Sequence, residues 1–249
     1  MSALAGRRIL ITGGATGIGA AAVRALTTAR AQVTATFHNT HPLDDVGTHW
    51  LHCDATDEDS VTKTVDQAVA HMGGLDVLVH AAGLWQAGIP GRIAKADIEF
   101  LMSTNLTATV LMNQAAHAVM KDTGGAIINF GSAEAVSGSP FSAVYAASKA
   151  AVQAWTRSAA RAWAGDRVTV NALAPAVQTP GADRLRDFLG PEAAAALEQH
   201  LAQSIPLRGA LGDPLTDLGP MLVFLAGTGA GFITGQLIAV DGGLMMLGG

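Results

Sequence analysis

The chain has 249 residues, 49% of them hydrophobic and 14% charged, with a formal net charge of −5. That composition suits one α/β domain with a large core and lacks the clustered Lys and Arg of a nucleic-acid footprint. A lone cysteine, Cys53, excludes an intrachain disulfide framework and fits a reducing compartment.

No apolar signal core occupies Met1–Arg8, and no apolar run reaches the roughly 18 residues of a membrane span. A cytoplasmic protein without a membrane partner is expected. No Pro-, Gly- or Ser-rich linker divides the chain, so 1–249 reads as a single domain.

In chain order, Arg8-Ile-Leu-Ile-Thr12 is a short apolar run typical of a buried strand, and Gly13-Gly-Ala-Thr16-Gly17-Ile18-Gly19 follows at once. Helix formers then run from Ala20 to about Ala29. Strand, glycine turn and helix in succession are the context of a dinucleotide fingerprint. Gly13 permits the tight turn, Gly17 lets backbone approach a pyrophosphate, and Gly19 lets the helix pack closely on the strand. The free N–H groups at the helix start favour phosphates.

A second strand, Val33–Phe37, ends in Phe37-His38-Asn39, where an acidic residue would bond the adenosine ribose and select NAD. No carboxylate stands there, and no arginine either. His38, Asn39 and Thr16 are therefore the candidate partners of a 2′-phosphate, and NADP is favoured over NAD.

Further strands are predicted at Trp50–Cys53, Leu75–Val79, Ala126–Phe130, Val168–Leu173 and Leu237–Val240. Helices are predicted at Asp57–His71, Ala96–Met120, Val144–Trp163 and Leu215–Ala226. Strict alternation with continuous apolar strands predicts a doubly wound parallel sheet of about seven strands with helices on both faces. Ligands then belong at the carboxyl ends of the strands, near the topological switch point.

Tyr145, the chain's one tyrosine, and Lys149 stand at i and i+4 in Tyr145-Ala-Ala-Ser-Lys149, on one face of a helix. An ammonium held beside a phenol favours the phenolate and lowers its pKa from about 10. Two to three units of lowering need roughly 3–4 kcal/mol. The expectation is a tyrosine acidified by its lysine to act as a general acid and base.

With the glycine turn, Tyr145 and Lys149 together, the chain resembles the short-chain dehydrogenase/reductase family from about Arg8 to Gly243. The resemblance implies a Rossmann-type fold and NAD(P)-dependent hydride transfer between a carbinol and a carbonyl carbon. It implies a catalytic group of Asn105, Ser132, Tyr145 and Lys149, Ser132 standing thirteen positions before Tyr145 at the end of Ile127–Ser132. By the same resemblance Lys149 bonds the nicotinamide ribose, and Asn105 links Lys149 to solvent through its backbone and a water. Asp54, with Ala55 beside it, matches the residue that bonds the adenine ring. Ala81-Ala82-Gly83 matches the turn against the adenosine side. Pro175, Val177 and Thr179, in the segment opened by Asn171, match the stretch that holds the nicotinamide.

Three positions depart from the family pattern. His80 replaces the usual Asn, and either bonds backbone or loosens the turn. Ala176 replaces a glycine after Pro175, and Phe37-His38 leaves cofactor choice open. The substrate wall is expected from Trp85, Glu134 and Phe141, with a variable lid at about 180–214 that includes a helix over Glu192–Glu198. Glu134 either contacts a polar substrate group or faces solvent.

The substrate itself is a small-molecule alcohol or carbonyl compound. The apolar helices at Ala96–Met120 and Val144–Trp163 imply a homotetramer or homodimer. A 3-oxoacyl reductase of the same family is the alternative, although no basic patch for a carrier protein stands out. A cofactor-sensing protein without chemistry would be expected to lose Tyr or Lys, and both remain. No Gly-x-Ser-x-Gly elbow and no metal-ligand spacing among the eight His residues supports a hydrolase or metal reading.

Overall fold

Alternation along the first strand, β1 (Arg8–Thr12), sets the two layers of the molecule. Ile9 and Ile11 enter one core cluster, and Leu10 enters the other. The computed structural model describes residues 4–42 and 47–246. Met1–Ala3, on which part of the leader reading rests, lie outside them.

The remaining strands are β2 (Gln32–Phe37), β3 (His49–His52), β4 (Val77–His80), β5 (Gly125–Phe130), β6 (Val168–Pro175) and β7 (Leu237–Val240). All pair in parallel in the order β3-β2-β1-β4-β5-β6-β7. The chain leaves β1 in one direction and returns through β4 in the other, which opens a crevice above their carboxyl ends.

Helices α1 (Gly17–Thr28) and α8 (Gly219–Ala226) cover one face through Ala22, Leu26, Leu222 and Leu225. On the other face lie α2 (Glu58–Met72), α4 (Ala108–Met120) and α6 (Ala143–Trp163), through Val61, Met112 and Ala160. The sequence explains α2 well. The Asp57 side chain accepts from Ser60 N–H, Glu58 and Asp59 meet the positive end of the helix, and Gly73 ends it at φ 76°.

Three helices differ from expectation, the first being that over Leu215–Ala226, which is a π-turn at Pro214–Leu218 before α8 begins at Gly219. The long helix expected over Ala96–Met120 is broken into α3 (Lys95–Met102), a wide π-turn at Ser103–Thr107, and α4. Periodicity cannot reveal such a turn, because one extra residue leaves the apolar stripe nearly intact. After the short α5 (Glu134–Ser137), the lid is mostly helical: α7 runs Pro180–Ser204, kinked at Gly190 (φ 75°, ψ 170°) before Pro191. The sequence shows only its second arm.

Among the described residues no helix is long and apolar enough to cross a membrane.

Candidate active site

The crevice is a cleft of about 690 Å3 that runs from the glycine loop to α6. Its floor is shaped by missing side chains. Gly13 sits at φ 63°, and a Cβ there would lie 2.9 Å from the Ala82 Cα. A Cβ on Gly19 would collide with the Gly13 carbonyl, and one on Gly17 (φ 53°) would meet Pro180 at 3.2 Å. Thr16 gives α1 no side-chain cap, so the first-turn amides are left for a ligand. This cradle fits the pyrophosphate of a dinucleotide.

His80 supports the cradle from below. Its Nδ1 lies 2.9 Å from Thr12 Oγ1, which accepts the Ala82 N–H at 3.1 Å. His80 thus holds the turn through Thr12 and not by bonding backbone itself. Burial, with Lys149 adding repulsion, lowers its pKa to about 3, and its buried Nε2 has no partner among the described residues.

At the adenosine end, the Phe37 ring packs 4.7 Å from His41 and 5.6 Å from His52. His38 and Asn39 line the cleft with Thr16, Asp54 and Ala55. Thr56 donates to Asp54 Oδ1 from its hydroxyl (2.7 Å) and its amide (2.9 Å), which holds that carboxyl below its ordinary range. His38 Nε2 is 3.9 Å from Asp54 Oδ2.

At the other end Ser132, Tyr145 and Lys149 line the same cleft. Strand β5 stops at Phe130, so Ser132 stands two residues beyond it and not at its last position. Lys149 Nζ donates to the Phe130 carbonyl at 3.0 Å and lies 5.9 Å from the centre of the Tyr145 ring. Asn105 is buried in the π-turn behind them. Its side chain clamps the Leu84 peptide (2.8 and 3.0 Å) and donates to Ser148 Oγ at 2.9 Å, while its carbonyl accepts the Thr109 hydroxyl. Gly83 makes room for both groups: a Cβ there would lie 3.2 Å from Asn105 Oδ1 and 3.3 Å from Lys149 Nζ.

The expected acidification of Tyr145 is not present in the protein alone. Burial and the Glu134 carboxylate push the phenol up to about 12, against a Ser132 hydrogen bond and the charge of Arg184. Lys149 does not offset them, since an ammonium that titrates near 8 is already neutral where a phenol near 12 ionises. Burial also lowers Lys149 itself to about 8. Tyr145 therefore stands as a proton donor at neutral pH.

The remaining expected residues divide. Ile18, Ala81, Ala82, Gly83, Pro175, Val177 and Thr179 line the cleft, and so does Trp85. Glu134 and Phe141 do not. The Glu134 carboxylate accepts the Ser142 hydroxyl in a very short contact outside the wall, and Phe141 is exposed. Arg184, which the expected lid at about 180–214 contains without singling it out, lines the cleft too, as do Ser103 and Thr104, which no expectation names. Pro180, which starts α7, was the one local signal that Arg184 lies a turn inside a helix.

The chain matches the model of a family described as enoyl-(acyl carrier protein) reductase over residues 13–245. It is 34% identical to a 2,5-dichloro-2,5-cyclohexadiene-1,4-diol dehydrogenase of Sphingobium indicum, with 98% of each chain covered. It is 32% identical to a 3-oxoacyl-[acyl-carrier-protein] reductase of Thermotoga maritima, over 98% of this chain and 99% of that one. The solved structure of a Thermoplasma acidophilum aldohexose dehydrogenase superposes with a TM-score of 0.88 at 25% identity, covering 98% of this chain and 95% of that one.

Proposed function

The chain belongs to the short-chain dehydrogenase/reductase family of oxidoreductases, and from that premise we propose that it interconverts a secondary alcohol and a ketone, with Tyr145 as general acid and base. The observation that carries this reading is one cleft with a glycine cradle at one end and Ser132, Tyr145 and Lys149 at the other. When bound, a nicotinamide cofactor supplies or accepts the hydride.

The chain's own residues do the rest. Tyr145, protonated at neutral pH, gives its proton to the oxygen of a ketone being reduced. The Ser132 hydroxyl holds that oxygen and stabilises the charge it gains. Lys149 would bond the ribose hydroxyls of the cofactor. Asn105 fixes Leu84 and Ser148 behind it, and we assign it the place of the link between Lys149 and solvent.

We assign NADP in preference to NAD. The tip of β2 itself offers His38 and Asn39 and no carboxylate, Thr16 lines the same cleft, and the Asp54 carboxylate near His38 is the one assigned to the adenine ring. A lower KM for NADPH than for NADH supports the assignment, and the reverse ratio removes it. The lid is the segment at about 180–214, whose Pro180 closes over Gly17.

An assembly of two or four copies is proposed on the exposed Ile98 and Phe100 of α3, and light scattering of the purified protein tests it. A cytoplasmic location is proposed on the buried free Cys53 and is checked by cell fractionation.

The test of the reaction is nicotinamide absorbance against a panel of ketones and alcohols with both cofactors. Tyr145→Phe should lower turnover roughly 10²–10⁴-fold while cofactor fluorescence titrations stay unchanged. Turnover near wild type would refute the assignment. A 3-oxoacyl thioester reduced faster than every free ketone would shift the reading to the acyl reductase alternative, for which the Thermotoga maritima relative stands.

A further inference from the structure

We infer that Arg184 forms an anion subsite beside the reacting carbon, so that the substrate carries a carboxylate or a comparable oxyanion. This rests on the oxidoreductase reading of the same cleft. The charged side chains in the cleft wall are Asp54 at the adenosine end, beside the His38 imidazole, and Lys149 and Arg184 at the reacting end. The wall at the reacting end therefore carries two cations, with the Glu134 carboxylate behind it and near enough to act on Tyr145. Glu134, the carboxylate that acts on Tyr145, lies outside the wall with an oxygen already taken by Ser142.

Of the two cations, Lys149 is tied to the Phe130 carbonyl. Arg184 is differently placed. Its Nε–H donates to the Trp85 carbonyl at 3.3 Å, which orients the guanidinium plane, and no carboxylate pairs with it among the described residues. Arg186, two positions on, is neutralised by Asp183 at 3.3 Å and Glu198 at 3.1 Å. Arg208 is neutralised by Asp217 at 2.7 Å. A planar guanidinium whose terminal nitrogens make no hydrogen bond among the described residues matches the two oxygens of a carboxylate.

The cofactor's phosphates are a poorer match for Arg184. Pro180, the first residue of α7, already sits over Gly17 at the phosphate cradle, and Arg184 lies one turn further on. Its anchor, Trp85, follows the β4 turn on the substrate side, and its charge is felt at Tyr145.

The test pairs each oxo acid with its neutral ester: acetoacetate with ethyl acetoacetate, and pyruvate with ethyl pyruvate, assayed at constant ionic strength. Wild type should prefer the acid in at least one pair. Arg184→Gln, which keeps a donor for the Trp85 carbonyl and removes the charge, should lower kcat/KM on the acid roughly 10- to 100-fold and leave the ester within about twofold. Arg184→Lys should recover part of the loss.

Esters turned over as well as acids by wild type and variant alike overturn the subsite while leaving the oxidoreductase reading intact. A weaker NADPH titration in Arg184→Gln with an unchanged acid-to-ester ratio overturns it in favour of a cofactor contact. If no pair is turned over, calorimetry of acetoacetate into the NADP-saturated enzyme decides. Binding that Arg184→Gln loses sustains the subsite, and no binding to wild type overturns it.

Discussion

The two ends of the parallel sheet handle charge in opposite ways. At the amino ends of β1 and β4, Arg8 donates to Asp76 through Nε (3.0 Å), Nη2 (2.8 Å) and its own amide (2.8 Å), and through Nη1 to the Gly73 carbonyl (2.6 Å). Burial alone would raise the Asp76 carboxyl, yet the Arg8 bonds win and hold it below its ordinary value. At the carboxyl ends of the same strands the balance is reversed. Among the described residues His80 Nε2 and Trp85 Nε1 are buried without partners and Arg184 has no counter-charge, while Lys149 is lowered to about 8 and Tyr145 is raised to about 12.

The contrast teaches where this fold keeps its polar groups in reserve. One end closes its hydrogen bonds internally and serves stability. The other holds polar groups in and beneath a cleft that a ligand can enter, at some cost to the stability of the empty protein.

Four substitutions sharpen or break that contrast. The loss of turnover in Tyr145→Phe is the largest effect, with no change in melting beyond about 1 kcal/mol. Next is Gly19→Ala, whose Cβ must displace the Gly13 carbonyl. Misplacing the cradle should weaken activity roughly 100-fold, with a matching rise in the cofactor dissociation constant measured by fluorescence.

Lys149→Met should lower activity and yet stabilise the fold at pH 7. The Lys149 pKa falls from 10.5 to about 8 on folding, so between those values the unfolded chain binds more protons and stability rises with pH. Below about 8 the cost of the buried ammonium is fully present, and Met removes it. The net gain is about 1–3 kcal/mol once the lost Phe130 bond is subtracted. In urea melts, the gap to wild type should close as the pH rises from about 8 toward 10.5. A less stable variant at pH 7 would break the contrast.

Asp76→Asn tests the other end, with a loss of about 1–3 kcal/mol and an unchanged cofactor affinity. Because the folded Asp76 pKa lies below its ordinary 3.8, its contribution is present above 3.8 and fades as the pH falls through the lower folded value. The difference between variant and wild type should narrow in acid.

Much of this arrangement was legible in the residues, and for local reasons. A strand followed at once by Gly13, Gly17 and Gly19 leaves few other conformations open to the backbone, and the four-residue spacing of Tyr145 and Lys149 puts both on one face of α6. The asparagine at 105 was harder. Its setting depends on a π-turn that the apolar pattern of 96–120 does not record. Glu134, open in the sequence between a substrate contact and solvent, accepts the hydroxyl of Ser142 eight positions away, a contact that local spacing does not reveal.

The sequence by itself determined the alternation of strands and helices, the glycine cradle and the spacing of Ser132, Tyr145 and Lys149, since each rests on contacts between near neighbours. Only the tertiary structure decided which way the Tyr145 pKa moves, which carboxylate stays out of the cleft and that Arg184 enters it. Those outcomes depend on burial and on distances between groups far apart in the chain, such as Arg184 and Trp85, and Coulomb energies change severalfold with the dielectric that packing creates.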